Sequence, residues 1–526
     1  MSERALVPAV LLHVPYVRRA GAWPFGEHQL HRHAAEVLVP LLMAWRHCRV
    51  PIRISVALSP VLAAQLADRE ILRGIGQWIR RRWEAVRELP SGLPAELERA
   101  WHWERERTGE VEEAWFGSLG QQPLAALAAL QADGLVEILA TPATGAILPL
   151  APRPSAVRMQ LQVARATLDD LMGAAPEGLW TPEGAWASAA RGGWSLDALA
   201  AEVGFRYVLD SARGWVDQDD GIGSREPFGP AVSPEGLVHL APPDSFMAAC
   251  LDPLSGFPGE GGYLDTLPDG FFSVAPAGPL LARGGADEGE SGGTGQPYLP
   301  EQARDLADRH AASALALARQ FLDTATDRAS GRASLLLPVD AERFLAWPEG
   351  KRWLQQLLER APEAGLTLRS AGEIAAWSPC RPLSAVLPSS WDRSGTLQPW
   401  QPLNSDWYWQ QVAGTADHAE SLVGHRGGDG RPLMMRALAQ AQREALLLAS
   451  GDWPRMVGAG GGSADYAAAR IRDHLDRFRR LADMVDAGEP DESLVERYEA
   501  LDNAFVRLDP AWAYPAAEPA WSPDDD

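Results

Sequence analysis

Cysteine is nearly absent: Cys48, Cys250 and Cys380 are widely spaced and odd in number in a chain of 526 residues. Such a set builds neither a disulfide framework nor a Cys-based zinc site, and it fits a reducing, cytoplasmic compartment. Basic charge is also short. The 48 Lys and Arg against 70 Asp and Glu leave a formal net charge of −22. A surface of that sign repels phosphate backbones, which argues against nucleic acid as a partner, whereas a neutral polymer is indifferent to it. No run approaches the roughly 18 apolar residues of a membrane-spanning helix, so no membrane partner is expected. The apolar start, MSERALVPAVLLHVPYVRR, contains Pro8, lacks a small-residue cleavage site and runs into charge. It reads as a first buried strand rather than a signal peptide.

Cofactor and metal signatures are missing as well. No His-Glu-x-x-His or acidic metal loop occurs. Gly458–Ser463 lacks the lysine and spacing of a phosphate loop, and Gly292-Gly293-x-Gly295 carries no dinucleotide fingerprint. His28, His31 and His33 cluster, but only His28 and His31 share a helical face, and a solvated helix start accounts for them. Neither a metal nor a cofactor is expected.

What the chain does have is an ordinary globular composition, 46% hydrophobic and 22% charged, with 21 tryptophans. Most of those rings will be packing residues, and some can stack on the flat apolar faces of sugars. Short apolar runs at Ala9–Val14, Ile52–Leu58, Leu135–Ala140, Gly178–Thr181, Tyr207–Leu209 and Ser334–Pro338 alternate with amphipathic stretches such as His31–Arg46, Ala156–Met172 and Leu196–Val203. That alternation predicts an α/β fold with a parallel sheet, closed or distorted into a barrel. Residues 71–120 interrupt it as a charged, Trp-rich helical insertion, and residues 252–297 form an irregular loop long enough to serve as a flap. Helical segments Arg431–Ser450, Ala464–Ala487 and Glu489–Asn503 then predict a catalytic unit over 1–385 and an all-α domain over 386–526.

Two carboxylates stand where strands end. Glu183 follows the short strand in Gly178-Leu179-Trp180-Thr181-Pro182-Glu183-Gly184-Ala185-Trp186, and Asp340 closes Leu335-Leu336-Leu337-Pro338-Val339-Asp340. The plain readings are a helix-start Glu and a helix N-cap Asp. The chemical reading is a pair flanking a glycosidic bond, at the strand ends where a barrel builds its cleft. Neither motif decides the matter alone.

Taken with the rest of the chain, these segments resemble glycoside hydrolase family 57. Leu12-His13-Val14-Pro15-Tyr16 is similar to its first signature. Gly134–Ile138 with Ala143-Thr144 and Leu148-Pro149-Leu150 is similar to the second, and Trp180–Trp186 to the third. Asp340-Ala341-Glu342-x-Phe344, with Trp347, Glu349-Gly350 and Arg352-Trp353-Leu354, looks like the fourth. Ser389-Ser390-Trp391, Trp400, Asn404, Trp407-Tyr408-Trp409, Gln440-x-x-Arg443-Glu444, Asp452-Trp453-Pro454 and His474-Leu475-x-x-Phe478 resemble the family's 1,4-α-glucan branching enzymes in particular.

The resemblance implies a distorted (β/α)7-type barrel acting on an α-glucan, with Glu183 as nucleophile and Asp340 as general acid/base. His13 and Glu342 would orient groups at the site, and Trp23, Trp391 and Trp400 would be sugar platforms. A retaining pair stands with its carboxyl groups about 5–5.5 Å apart. The chain departs from the family's pattern at Leu11, Gly145 and Ala346, where histidines are usual. Those departures raise a rival, a glucan-binding paralogue without turnover. A hydrolase or a 4-α-glucanotransferase on the same scaffold is a further alternative. The metal triad of a polysaccharide deacetylase has no counterpart here.

Overall fold

The computed structural model describes residues 3–21, 25–89, 91–190, 192–218, 221–222, 226–251, 256–263, 281–283, 293–328, 331–345 and 348–515. Seven strands carry the architecture: β1 (Glu3–Leu12), β2 (Ile54–Leu58), β3 (Val136–Ala140), β4 (Gly178–Trp180), β5 (Tyr207–Leu209), β6 (Val238–Leu240) and β7 (Arg332–Asp340). They lie in the order β7-β1-β2-β3-β4-β5-β6, and each neighbouring pair is parallel. With the intervening helices this is a (β/α)7-like barrel. Among the described residues no pairing joins β6 to β7; β6 instead meets Ala231–Val232 in antiparallel register.

Side-chain alternation along the strands sorts the core into two layers. Ala5, Val7, Ala9, Ala57, Leu139, Trp180, Tyr207, Leu209, Leu240 and Leu336 form one buried cluster, the barrel interior. Their neighbours Leu6, Val10, Leu12, Ile54, Val56, Leu58, Leu335 and Leu337 belong to the larger layer shared with the surrounding helices. Both faces of the strands are therefore apolar, which is why they read as continuous hydrophobic runs. The floor is closed by the helix Ala371–Ala375. There Glu137 accepts from Gly372 N (3.0 Å), Ser55 Oγ (2.8 Å) and Tyr207 Oη (2.6 Å). The same alternation fixes the rim: Leu336, Pro338 and Asp340 share a face of β7, and Asp340 is the register partner of Leu11 on β1.

The insertion expected over 71–120 is present as helices Arg69–Val86 and Ala95–Glu113 between β2 and β3. Past Val386 the described residues form no named strand, and helices Asp406–Arg426, Pro432–Leu448, Asp452–Ala459, Gly461–Ala487 and Glu492–Leu501 follow. The first of these was not anticipated, because its opening Asp406-Trp407-Tyr408-Trp409 reads as an aromatic motif rather than a helix start. Of the predicted flap, residues 252–255, 264–280 and 284–292 lie outside the described residues. Of the remainder, Phe257 stacks on Trp353 at 4.6 Å, and a hairpin joins Leu281–Arg283 to Gly293–Pro297. Among the described residues no helix is long and apolar enough to cross a membrane.

Candidate active site

Glu183 is presented by a forced turn. β4 ends at Trp180, Pro182 stops the ladder, and the chain folds into a single 3-10 turn over Pro182–Gly184. Within it Glu183 adopts φ 45°, ψ 34°, a left-handed conformation that costs a side-chain-bearing residue roughly 1–2 kcal/mol. Gly184 follows at φ 64°, and a Cβ on it would come within 2.5 Å of the Trp391 indole. Trp391 thereby fits flush against the turn. Its N–H donates to Glu183 O (2.7 Å), its indole N–H donates to Asp210 O (2.6 Å), and it meets Trp180 edge-on at 5.6 Å.

Asp340 arrives on β7 in phase with the barrel interior. Its Oδ1 accepts from the backbone N–H of Glu342 (3.0 Å) and Arg343 (3.2 Å), the geometry of the helix cap that its residue type suggests. Capping does not exhaust its role. Burial pushes its pKa above the usual carboxylate value, the Arg343 hydrogen bond opposes this, and the charges of Glu342 and Glu183 raise it further.

Glu183 and Asp340 line one cavity of about 330 Å³ at the C-terminal rim of the barrel. Its wall includes Leu11, Trp180, Pro338, Phe344 and Trp391, with Arg213, Asp392 and Arg393 among its charged groups. The helix Asp244–Cys250, which leads into the predicted flap segment, supplies Asp244, Met247 and Ala248 to the same wall.

The structure sorts the other expected site residues. Trp391 is on the cavity wall. His13 is half-buried, and its Nε2 lies 3.0 Å from Asp452 Oδ2 on the first turn of helix Asp452–Ala459. Burial pulls the pKa of His13 down, but the charge and hydrogen bond of Asp452 outweigh it, and the net shift is upward. Gly145 packs on that ring: a Cβ there would come within 3.2 Å of His13 Cε1, and its φ is +64°. Glu342 lies off the cavity wall, its carboxylate 2.7 Å from the Nδ1 of buried His33. Trp23 and Ala346 lie outside the described residues.

Trp400 requires a correction. It is 1% exposed and packed with Ile147, Leu150, Ala185 and Leu397, so no ring face is open for a sugar. What lies over its ring is the guanidinium of Arg455, 5.1 Å from the centroid. Arg455 escaped sequence reasoning altogether, although it directly follows Asp452-Trp453-Pro454. It forms an ion pair with Glu183 Oε1 and stands 3.5 Å from Asp392 Oδ2.

Behind the wall, His239 is fully buried between two aspartates. Its Nδ1 is 2.9 Å from Asp210 Oδ2, and its Nε2 is 3.7 Å from Asp197 Oδ2. Trp215 donates to Asp210 (3.1 Å) and Trp186 to Asp197 (2.7 Å). Burial alone would depress the imidazole, but Asp210 and Asp197 overcome it and lift it to about 9. Among the described residues one buried group, Glu444, His474 and Asp502, has potential ligand atoms within 4.8 Å of one another. Arg477 already pairs with both carboxylates, at 3.1 and 2.8 Å, and Arg470 faces His474 Nε2 at 3.0 Å. Two guanidiniums inside the group fit an ion network and oppose a cation.

The chain therefore presents a strand-end carboxylate pair on a parallel barrel, backed by a helical region. Residues 10–238 match the model of glycosyl hydrolase family 57, and residues 416–512 match that of the 1,4-alpha-glucan branching enzyme, C-terminal. The barrel segment thus resembles glycoside hydrolase family 57, and the helical segment resembles the C-terminal part of 1,4-alpha-glucan branching enzymes. It is 28% identical over 541 residues to a 1,4-alpha-glucan branching enzyme of Thermococcus kodakarensis, covering 94% of this chain and 76% of that one. Its structure is similar to that of a family 57 branching enzyme from Pyrococcus horikoshii, with a TM-score of 0.85, 25% identity and 98% of each chain covered. An alpha-amylase from Thermotoga maritima shares the fold, with a TM-score of 0.83, 20% identity, and 98% of this chain and 100% of that one covered.

Proposed function

We propose that the protein is a retaining α-glucan transglycosylase that cleaves α-1,4 links and re-forms them as α-1,6 branches. The observation that carries this reading is the convergence of Glu183 and Asp340, from strand ends 157 positions apart in sequence, on one cavity. Glu183 is the nucleophile and Asp340 the acid/base. Asp340, held above the usual carboxylate pKa, protonates the departing glucosyl oxygen while Glu183 bonds to the anomeric carbon. A hydroxyl of a second glucan then gives its proton to Asp340 and displaces Glu183, which restores the configuration. Trp391 offers an indole to the sugar, and His13 orients groups near the rim. The names of the relatives support branching over hydrolysis. The division into a barrel over 1–385 and a helical domain over 386–526 belongs to the same proposal.

A specific observation favours a second reading. Gly145 and Leu11 stand where the family commonly has histidine, and Gly145 leaves no side chain beside His13. A glucan-binding protein without turnover would tolerate that loss of hydroxyl contacts. Incubating the purified protein with amylose separates the readings. Branching is expected to produce α-1,6 linkages with little net gain in reducing ends, and hydrolysis the reverse. Binding without either product decides for the second reading. Glu183→Gln and Asp340→Asn are expected to abolish both products while glucan still binds.

A further inference from the structure

Arg455 reaches Glu183 from the helical region and serves two carboxylates of the cavity wall at once. Its guanidinium pairs with Glu183 Oε1, and its other terminal nitrogen is 3.5 Å from Asp392 Oδ2. Trp400 backs it from beneath, a buried ring whose carbonyl accepts from Trp409 Nε1 at 2.8 Å. A planar cation stacked on a fixed ring is pre-organised, and little freedom remains for it to lose. Asp392 is itself tied to the rim, with its carbonyl accepting from Arg213 at 2.6 Å and its Oδ1 from Ser394 N at 2.8 Å.

We propose that Arg455 is the positioning cation of the Glu183 carboxylate, shared with Asp392, and that it governs the balance between forming and resolving a covalent glycosyl-enzyme. This rests on the retaining mechanism. In the first step an oxygen of Glu183 bonds to the anomeric carbon, the glycosidic C–O bond breaks, and the leaving oxygen takes the proton of Asp340. Glu183 becomes a neutral ester, and the guanidinium is left with Asp392. In the second step an acceptor hydroxyl oxygen bonds to the anomeric carbon and its proton passes to Asp340. The Glu183 ester bond breaks, and its electron pair returns to the carboxylate beside Arg455. A cation at that oxygen stabilises the free carboxylate more than the ester. It therefore restrains the first step and accelerates the second.

That asymmetry separates the role from a merely structural one, because a loosened site slows both steps. Full-length protein is given a maltooligosyl fluoride, whose leaving group needs little protonation, with and without a maltooligosaccharide acceptor. Fluoride release and the mass of the intact protein are followed together. Arg455→Gln is expected to show a burst of fluoride, a predominant glycosyl adduct, and turnover lowered about 10- to 100-fold, the range of one charge-assisted hydrogen bond. Arg455→Lys is expected to recover part of the turnover.

Asp392→Asn tests the same idea with Arg455 in place and also serves if Arg455→Gln does not fold. The cation then stays on Glu183, and adduct occupancy is expected to fall below that of wild type. Equal occupancy in wild type and both variants overturns the proposal. Glu183→Gln must form no adduct. If wild type itself releases no fluoride and forms no adduct, the retaining mechanism fails and the Arg455 proposal falls with it; active wild type with indifferent Arg455 variants sinks the proposal alone.

Discussion

Individual carboxylates in this protein are set apart by their surroundings. Asp340 is raised by burial first and then, against the Arg343 hydrogen bond, by the charges of Glu342 and Glu183. Removing the Glu342 charge should let Asp340 ionise at lower pH. In the Glu342→Gln variant the alkaline limb of kcat/KM is expected to move to lower pH, while the acid limb stays in place. A limb that does not move would remove Glu342 from the electrostatics of the site. Glu349 gives a test of stability. It is 3% exposed, its carboxylate meets no hydrogen-bond partner in another described residue, and burial lifts it to about 7 against the pull of its own backbone N–H. A carboxyl raised on folding favours the native state below its unfolded pKa and loses that advantage as pH rises through the folded value. Glu349→Gln should therefore stabilise the protein most above neutrality, by on the order of 3 kcal/mol. Tm measured at pH 5 and pH 8 checks this, and a gain equal at both values would refute it.

Among the local elements, the turn after β4 is the least forgiving. Gly184 combines a positive φ with an indole at the place a Cβ would occupy. Gly184→Ala is expected to leave a folded protein whose activity drops at least about tenfold, because Trp391 and the Glu183 turn cannot both keep their positions. Unaltered turnover on amylose would mean that the turn adapts. This part of the site was half legible in the sequence. The Trp-x-Pro-Glu spacing singled out Glu183, which lies on the cavity wall, and the apolar run before Asp340 marked β7. Burial of Trp400 was not legible, since stacking and packing make the same demand on a tryptophan. Nor was the π-helical stretch Ala34–Leu38, which interrupts the helix expected over His31–Arg46 without disturbing the apolar pattern. Period-two and helical patterns report which face is covered and stay silent on what covers it.

At the scale of the whole molecule, the helical region contributes charged side chains to the rim of the barrel. Asp452 answers His13 and Arg455 answers Glu183, contacts spanning 439 and 272 positions of sequence. No local signal encodes such pairings, which explains why the barrel strands were largely foreseen and Arg455 was not. The His13–Asp452 pair should steady the union of the two parts within a pH window. His13 is raised and Asp452 lowered, so its contribution is lost above the first pKa and below the second. Asp452→Asn is expected to reduce stability by about 1–3 kcal/mol near neutral pH and to flatten the dependence of Tm on pH. A variant that titrates like wild type would show that the pair carries no linkage.

One pairing in the sheet bears on how the molecule comes into being. β7 lies beside β1, with Arg332 against Glu3 and Asp340 against Leu11. That edge of β1 thus stays unsatisfied during synthesis until Arg332–Asp340 has been made, and exposed edges of that kind invite mispairing. The strand that relieves the edge also delivers Asp340, and the helix that completes the ion pair on Glu183 is translated later still. Under the proposed mechanism assembly and competence coincide: until β7 has paired with β1 and Arg455 has been made, the growing polypeptide holds neither the full carboxylate pair nor its cation.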